Sequence, residues 1–145
     1  MASFARPLTP EDDELLEPID VSYAKTLGLE PIVSKASISF YARSGHAFVA
    51  ITEGEASGFV LAHAVWNGAR PVVQVSRLAV MNENDTEARE ALLEAVTKSA
   101  YDAAVYDIHV YAPALDKGAS TALETKDYTS VPITVWQRIL GSRGQ

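Results

Sequence analysis

Apolar and polar residues alternate with two different periods along this chain of 145 residues. In the first third, capping residues and terminating glycines predict helices, after a short predicted strand over residues 4–8. Thr9-Pro10 opens the first predicted helix, and Pro18 is expected to kink or break it, so that residues 19–27 form a second helical piece. A further helix is predicted over residues 34–43.

The middle of the chain has the pattern of β-strands, which are predicted over residues 46–51, 58–66 and 71–80. The dipeptide Asn67-Gly68 separates the last two strands, and it predicts a tight hairpin because both residues tolerate a positive φ. Residues 71–80 are apolar at nearly every position, which indicates a strand covered on both faces.

Residues 86–105 form the clearest predicted helix, since their apolar positions lie on one face. A strand over residues 107–112, a short helix over 118–125 and a final strand over 131–140 complete the chain. The helix that follows the third strand of the meander predicts a parallel neighbour for it. The sequence therefore predicts one α/β (α+β) domain over residues 1–145, in the order β-α-α-β-β-β-α-β-α-β, with helices flanking a central twisted mixed sheet of about six to seven strands.

Composition narrows the classes of function. The chain has no cysteine, which excludes disulfide bonds, thiolate catalysis and cysteine-based zinc sites. Its formal net charge is −7 at pH 7, and it has no basic stripe that would bind a nucleic-acid backbone. No apolar run approaches the roughly 18 residues that cross a bilayer, and residues 1–7 lack the apolar core of a signal peptide. We expect a soluble, cytoplasmic protein that binds neither nucleic acid nor membrane.

Four segments, in this order, resemble motifs of the GNAT superfamily of N-acetyltransferases. Residues 53–60 resemble its "dGeivGfa" turn, and residues 76–80 resemble the "xxLaV" end of its fourth strand. Residues 91–93 lie where its cofactor helix reads "aLL", and residues 116–128 follow the spacing of "NxxAxxlYeklGF". The chain looks most similar to small, divergent and uncharacterised bacterial members of that superfamily.

The resemblance implies a GNAT-like fold and transfer of an acetyl group from acetyl-CoA to a small-molecule or protein amine. It also implies a homodimer, by analogy with that architecture. In the family, the end of the fourth strand and the first turn of the following helix bind the cofactor. The matching positions in this chain are Leu78, Ala79, Val80, Thr86, Glu87, Ala88, Arg89 and Glu90.

The positions that would carry chemistry depart from the family's pattern. Residues 81–90 contain no glycine, and their carboxylates put negative charge where two phosphates would bind. Asp85 or Thr86 would equally serve as a helix cap there. Leu123 stands at the position of the proton-donating tyrosine, and Ser76 stands at that of the strand carboxylate. Tyr128 fills the position of a packing aromatic residue.

Two candidate catalytic residues remain, His63 on a strand and Tyr111 near the end of another. Arg77 needs a partner, because it is a charge inside an otherwise apolar strand. No HxH or HExxH spacing supports a metal site. Two hypotheses stay open: an acetyl-CoA-dependent N-acetyltransferase with a divergent cofactor loop, or a catalytically inactive GNAT-fold module for binding or dimerisation.

Overall fold

A computed structural model describes residues 2–141, and its centre is a five-stranded mixed sheet in the order β1-β2-β3-β4-β5. Neighbouring strands are antiparallel from β1 to β4, whereas β4 and β5 are parallel, as the intervening helix predicts. The strands are β1 (Ser3–Pro7), β2 (Phe48–Thr52), β3 (Glu55–Asn67), β4 (Arg70–Val80) and β5 (Ile108–Val110).

Helices cover both faces of this sheet, and local capping explains where three of them begin. Ser34 accepts a hydrogen bond from the Ser37 N–H, Asp85 from the Ala88 N–H, and Asp116 from the Ala119 N–H. A 3₁₀ turn, Pro10–Asp12, leads into the first helix. The helices are α1 (Asp13–Leu27), α2 (Lys35–Ala42), α3 (Thr86–Asp102) and α4 (Lys117–Thr125).

The sheet separates two apolar cores. One lies between the sheet and α3 and includes Leu92, Leu93 and Val96, packed against Val73 and Val75 of β4. The other lies beneath α1 and α2 and is built around the buried side chains Leu16, Ile19, Ile38, Phe59 and Leu61. Because both faces are covered, apolar residues of β4 such as Val72, Val73 and Val75 are buried on both sides of its alternation.

The β3–β4 hairpin contains a bulge that changes which backbone groups face each neighbour. Leu61 pairs with Arg77 and Ala62 pairs with Val75, so Ser76 is the extra residue in β4. Gly68, with φ 78°, forms the predicted hairpin turn. The bulge lies just before the end of β4, residues Leu78 to Val80, which matches the cofactor-binding strand end of the GNAT superfamily.

The predicted order of elements is confirmed from β1 to α4, and the break expected at Pro18 is wrong. Helix α1 continues through Pro18 from Asp13 to Leu27 and ends at Gly28, with φ 68°. Pro18 lies on the exposed face, as does Glu14, whose carbonyl loses its helical donor at this position. Water can satisfy that carbonyl, so the helix continues past Pro18.

The final strand predicted over residues 131–140 does not form, and the sheet has five strands rather than the six to seven expected. The segment has the apolar alternation of a strand, but a strand also needs a neighbour for its backbone hydrogen bonds. No other strand within residues 2–141 pairs with it. Pairing is a tertiary property, which the local pattern does not contain.

The single-domain assignment spans residues 1–145, of which Met1 and residues 142–145 lie outside the described residues. Over residues 2–141, no helix combines the length and the apolar character that a membrane crossing requires.

Candidate active site

A cleft opens where β4 and β5 separate. The two strands pair only between Val73–Val75 and Ile108–Val110, and β4 then continues to Val80 along β3. The cleft beyond the last pair has a volume of about 720 Å³. Its lining includes the end of β4, residues 81–84, the start of α4 and one side of α1.

Backbone groups at the end of β4 face this cleft. The Met81 N–H donates to the Ser57 carbonyl of β3 at 2.9 Å. Since strand backbone alternates, Ala79 also faces β3, and the N–H and C=O groups of Leu78 and Val80 face the opposite side. Of the three predicted positions in β4, Leu78 and Val80 therefore have backbone groups available to a bound chain, and Ala79 does not.

The loop before α3 uses its own backbone donors internally. The Asn84 N–H donates to the Asn82 side-chain oxygen at 2.9 Å, and the Asp85 N–H donates to the Asn82 carbonyl at 2.9 Å. The Thr86 N–H donates to the Asn84 carbonyl at 3.0 Å. The Asp85 carboxylate accepts from the Ala88 N–H at 3.0 Å, which confirms the predicted cap. An internal carboxylate thus occupies part of the helix N-terminus, where anions otherwise bind.

Arg89, one of the positions that match the family's cofactor-binding residues, is buried in a network inside the protein. Its guanidinium lies 3.5 Å from the Asp116 carboxylate, whose other oxygen accepts from the Tyr23 hydroxyl at 2.5 Å. Burial, together with this hydrogen bond, raises the pKa of Tyr23, so the hydroxyl keeps its proton at neutral pH. The Arg89 Nε has no hydrogen-bond partner within the described chain.

A glycine makes room for this arrangement. A Cβ added at Gly118 would lie 2.6 Å from the guanidinium carbon of Arg89. Gly118 belongs to the first turn of α4, close behind the capping residue Asp116. The network therefore joins α1, α3 and α4 at the wall of the cleft, and sequence reasoning missed the part played by Tyr23. The position of Tyr23 in α1 also fits a residue that only packs against the core, so the sequence does not distinguish packing from hydrogen bonding to Asp116.

The partner that Arg77 requires is Asp20 of α1. The two side chains form an ion pair of 2.8 Å and are both almost inaccessible to solvent. The Asp20 carboxylate also accepts from the backbone N–H groups of Ile32 and Val33, at 2.6 and 2.8 Å. The pair holds β4, α1 and the loop before α2 together, which accounts for the charge in the strand.

His63 lies on the face of the sheet that α2 covers. Its ring makes edge contacts with Phe40 and Tyr41, at centroid distances of 5.4 and 5.8 Å. Its Nδ1 is buried and has no hydrogen-bond partner among the described residues. Gln74, directly opposite His63 in the sheet register, accepts a long hydrogen bond of 3.4 Å from the Tyr111 hydroxyl. Both predicted catalytic residues therefore flank Gln74.

The predicted site residues thus fall into different surroundings. Val80 and Arg89 line the cleft, and Thr86 and Glu87 line a shallow pocket beside Asn82 and Asn84. Ala88 is buried in the core under α3, and Glu90 is half-buried. No group of three or more His, Asp or Glu side chains between residues 2 and 141 has the arrangement of a metal site.

The chain is similar to one solved structure at 37% sequence identity and to others at less than 20%. TTHA1254 from Thermus thermophilus is 37% identical, with a TM-score of 0.76 over 96% of this chain and 98% of that chain. A ribosomal-protein-alanine N-acetyltransferase from Brucella melitensis biovar Abortus 2308 is 17% identical, with a TM-score of 0.74 over 97% of this chain and 100% of that chain.

A third structure is an aminoglycoside acetyltransferase from an uncultured soil metagenomic sample, in complex with sisomicin. It is 14% identical, with a TM-score of 0.74 over 96% of this chain and 97% of that chain. A search by sequence among curated proteins gives no match.

The fold is that of the GNAT acetyltransferases, which confirms the fold that the sequence motifs predict. The profile of a family described as a protein of unknown function, DUF1999, matches residues 30–142, and the chain belongs to that family. The match includes β4, α3 and α4, which line the cleft.

Proposed function

We propose that this protein is an N-acetyltransferase that binds acetyl-CoA in the cleft between β4 and β5. The observation that carries the proposal is the separation of these strands after Val75 and Val110. Among the described residues it leaves the backbone groups of Leu78 and Val80 without a strand partner on this side, and Val80 lines a cleft of about 720 Å³. Exposed strand edges bind extended chains through backbone hydrogen bonds.

The residues present fit one part of the cofactor better than the other. The edge of β4 suits the amide-containing arm, because that arm carries both donors and acceptors for strand-like pairing. The loop is less suited to pyrophosphate, since the N–H groups of Asn84, Asp85 and Thr86 already donate within the protein. Exposed Glu83 adds negative charge at the cleft. We therefore expect weak binding that depends mainly on β4.

Acetyl-CoA bound in this cleft would supply an activated acetyl thioester. The backbone N–H groups of Leu78 and Val80 would orient its arm and polarise the carbonyl. His63 is the group proposed to take the proton of the attacking amine, because its imidazole is half-buried beside Phe40 and Tyr41, although it lies outside the lining of the cleft. Tyr111 is the second candidate for proton transfer, and its hydroxyl lies 3.4 Å from the Gln74 side chain.

One observation favours a second function, a GNAT-fold binding module without acetyl-CoA. The Asp85 carboxylate caps α3, and the Asp116 carboxylate pairs with Arg89, so internal anions already engage groups that would bind a phosphate. A cofactor would have to compete with both. In this second function the cleft binds no acetyl-CoA, and the protein binds a partner through its outer surface.

Calorimetric titration with acetyl-CoA distinguishes the two functions, and Glu83→Lys tests the charge argument. Since the substitution removes a repulsive charge and adds an attractive one, we expect the dissociation constant to fall about tenfold. Glu14→Lys is the matched control, because Glu14 is also exposed but lies near the start of α1, outside the cleft lining. It should change the dissociation constant less than twofold, roughly, at physiological ionic strength, since salt screens distant charges.

The titration of the three proteins with acetyl-CoA has three distinguishable outcomes. Binding of acetyl-CoA by the unaltered protein, strengthened by Glu83→Lys and not by Glu14→Lys, supports the acetyltransferase proposal. No heat of binding at millimolar acetyl-CoA for any of the three proteins contradicts it and leaves the binding module. Equal strengthening by both variants would mean a non-specific charge effect and would contradict binding in the cleft.

A further inference from the structure

Residues 129–140 form neither a helix nor a strand, and the large apolar side chains of this segment lie in solvent. Among the described residues, its backbone makes one backbone–backbone hydrogen bond, from the Ile133 N–H to the Val131 carbonyl at 2.8 Å. Six large apolar side chains are each at least 49% exposed, and Trp136 is 92% exposed. They are Val131, Ile133, Val135, Trp136, Ile139 and Leu140.

The β5 strand has an open edge that matches this segment. The Val73 N–H donates to Asp107, and the Tyr111 N–H donates to Val75, so residues 107, 109 and 111 face β4. By strand alternation, the backbone groups of Ile108 and Val110 face away from the sheet. Their side chains are only half-buried against the core under α3. A further strand would pair with this backbone and cover that core.

The amount of exposed apolar surface is large for a protein that stays monomeric. Monomers rarely expose contiguous apolar patches above a few hundred Å². Trp136 alone offers roughly 200 Å² of surface. With the five other side chains, the segment approaches the roughly 800 Å² per partner of a standard stable interface. A dimer that buries two such segments meets that requirement.

We propose that residues 131–140 of one copy add as a strand to the open edge of β5 in a second copy, and that the exchange is reciprocal about a twofold axis. Within residues 2–141, each copy has one segment with the apolar alternation of a strand and one sheet edge that no other strand pairs with, so two copies satisfy both and close the assembly. The exchange gives each sheet the sixth strand that the apolar alternation predicts. It is independent of the proposed acetyl transfer.

The molar mass in solution, measured by light scattering after size exclusion, tests the assembly. We expect a dimer for the unaltered protein. Val135→Asp should weaken the dimer roughly 100-fold, because a reciprocal dimer contains the substitution twice and each copy lowers the affinity about tenfold. Val21→Asp is the matched control, since Val21 is an exposed valine on α1. It should leave the dimer intact. A monomeric unaltered protein, or equal loss in both variants, would overturn the proposal.

Cross-linking identifies the occupant of the β5 edge. Because the chain has no cysteine, His109→Cys and Thr134→Cys can be placed on separate copies, mixed after unfolding and refolded together. A short bismaleimide reagent should join the two kinds of copy into a covalent dimer. If the chain carrying both cysteines gives only an intramolecular cross-link, its own segment occupies the edge and the second copy is excluded.

Discussion

At the scale of single residues, the cleft wall depends on the contact between Arg89 and Gly118. The sequence places Arg89 in the first turns of α3, but its partner Asp116 is 27 positions away and was not predicted. A Cβ there would lie 2.6 Å from the guanidinium, so the buried Arg89 side chain would have to shift away from its position beside Asp116. The caps Asp85 and Asp116 were predictable, since a cap and the amide that it binds are only three residues apart.

Gly118→Ala should therefore destabilise the protein by about 1–2 kcal/mol. In a helix without such a contact, the same change stabilises by roughly 0.5–1 kcal/mol. The free energy of unfolding in urea measures the effect. In an Arg89→Ala background the added methyl meets no guanidinium, so Gly118→Ala should then be neutral or stabilising. Destabilisation of the same size in both backgrounds would contradict the account of this contact.

His46 gives the stability a pH dependence. Burial, and to a lesser degree the nearby His63, lowers the pKa of His46 below its ordinary value, and its Nδ1 lies 2.9 Å from the Ser99 hydroxyl. Below about pH 6.5 the unfolded chain therefore binds a proton that the folded protein does not, so stability falls as the pH falls. His46→Gln should flatten this slope in urea unfolding between about pH 5 and 7. An unchanged slope would contradict the assignment to His46.

At the scale of elements, the sequence predicted the order from β1 to α4 because each element has a local pattern. The need for a partner at Arg77 was also predictable, from the cost of burying a charge. The identity of that partner was not, because Asp20 lies 57 positions earlier in the chain. The same limit applies to residues 131–140, whose pattern predicts a strand but not a neighbour.

Asp20→Asn should show how strongly this buried pair joins β4 to α1. Removing one charge leaves the Arg77 guanidinium buried without a counter-charge, which costs about 3–5 kcal/mol. The matched control is Asp102→Asn, which breaks the exposed Lys98–Asp102 pair of 2.7 Å and should cost less than about 1 kcal/mol. Urea unfolding of both variants measures the difference. Equal losses would mean that Arg77 does not depend on Asp20.

At the scale of the whole molecule, the described residues match the GNAT fold more fully than they match the chemistry of acetyl transfer. The scaffold is that of the GNAT acetyltransferases, with two cores and a cleft between diverging parallel strands. The groups that would bind pyrophosphate engage internal carboxylates at Asp85 and Asp116. The proposal of acetyl transfer therefore depends on the backbone of β4, whose geometry the residue types alone do not reveal.

Amide hydrogen exchange, resolved by residue with NMR, tests that claim most directly. With saturating acetyl-CoA, the amides of Leu78 and Val80 should exchange at least about tenfold more slowly, because the bound arm would accept from or cover them. The Ala79 amide, which faces β3, is the internal control and should change little. Unchanged exchange at Leu78 and Val80 under saturation, or equal protection of all three amides, would contradict binding along β4.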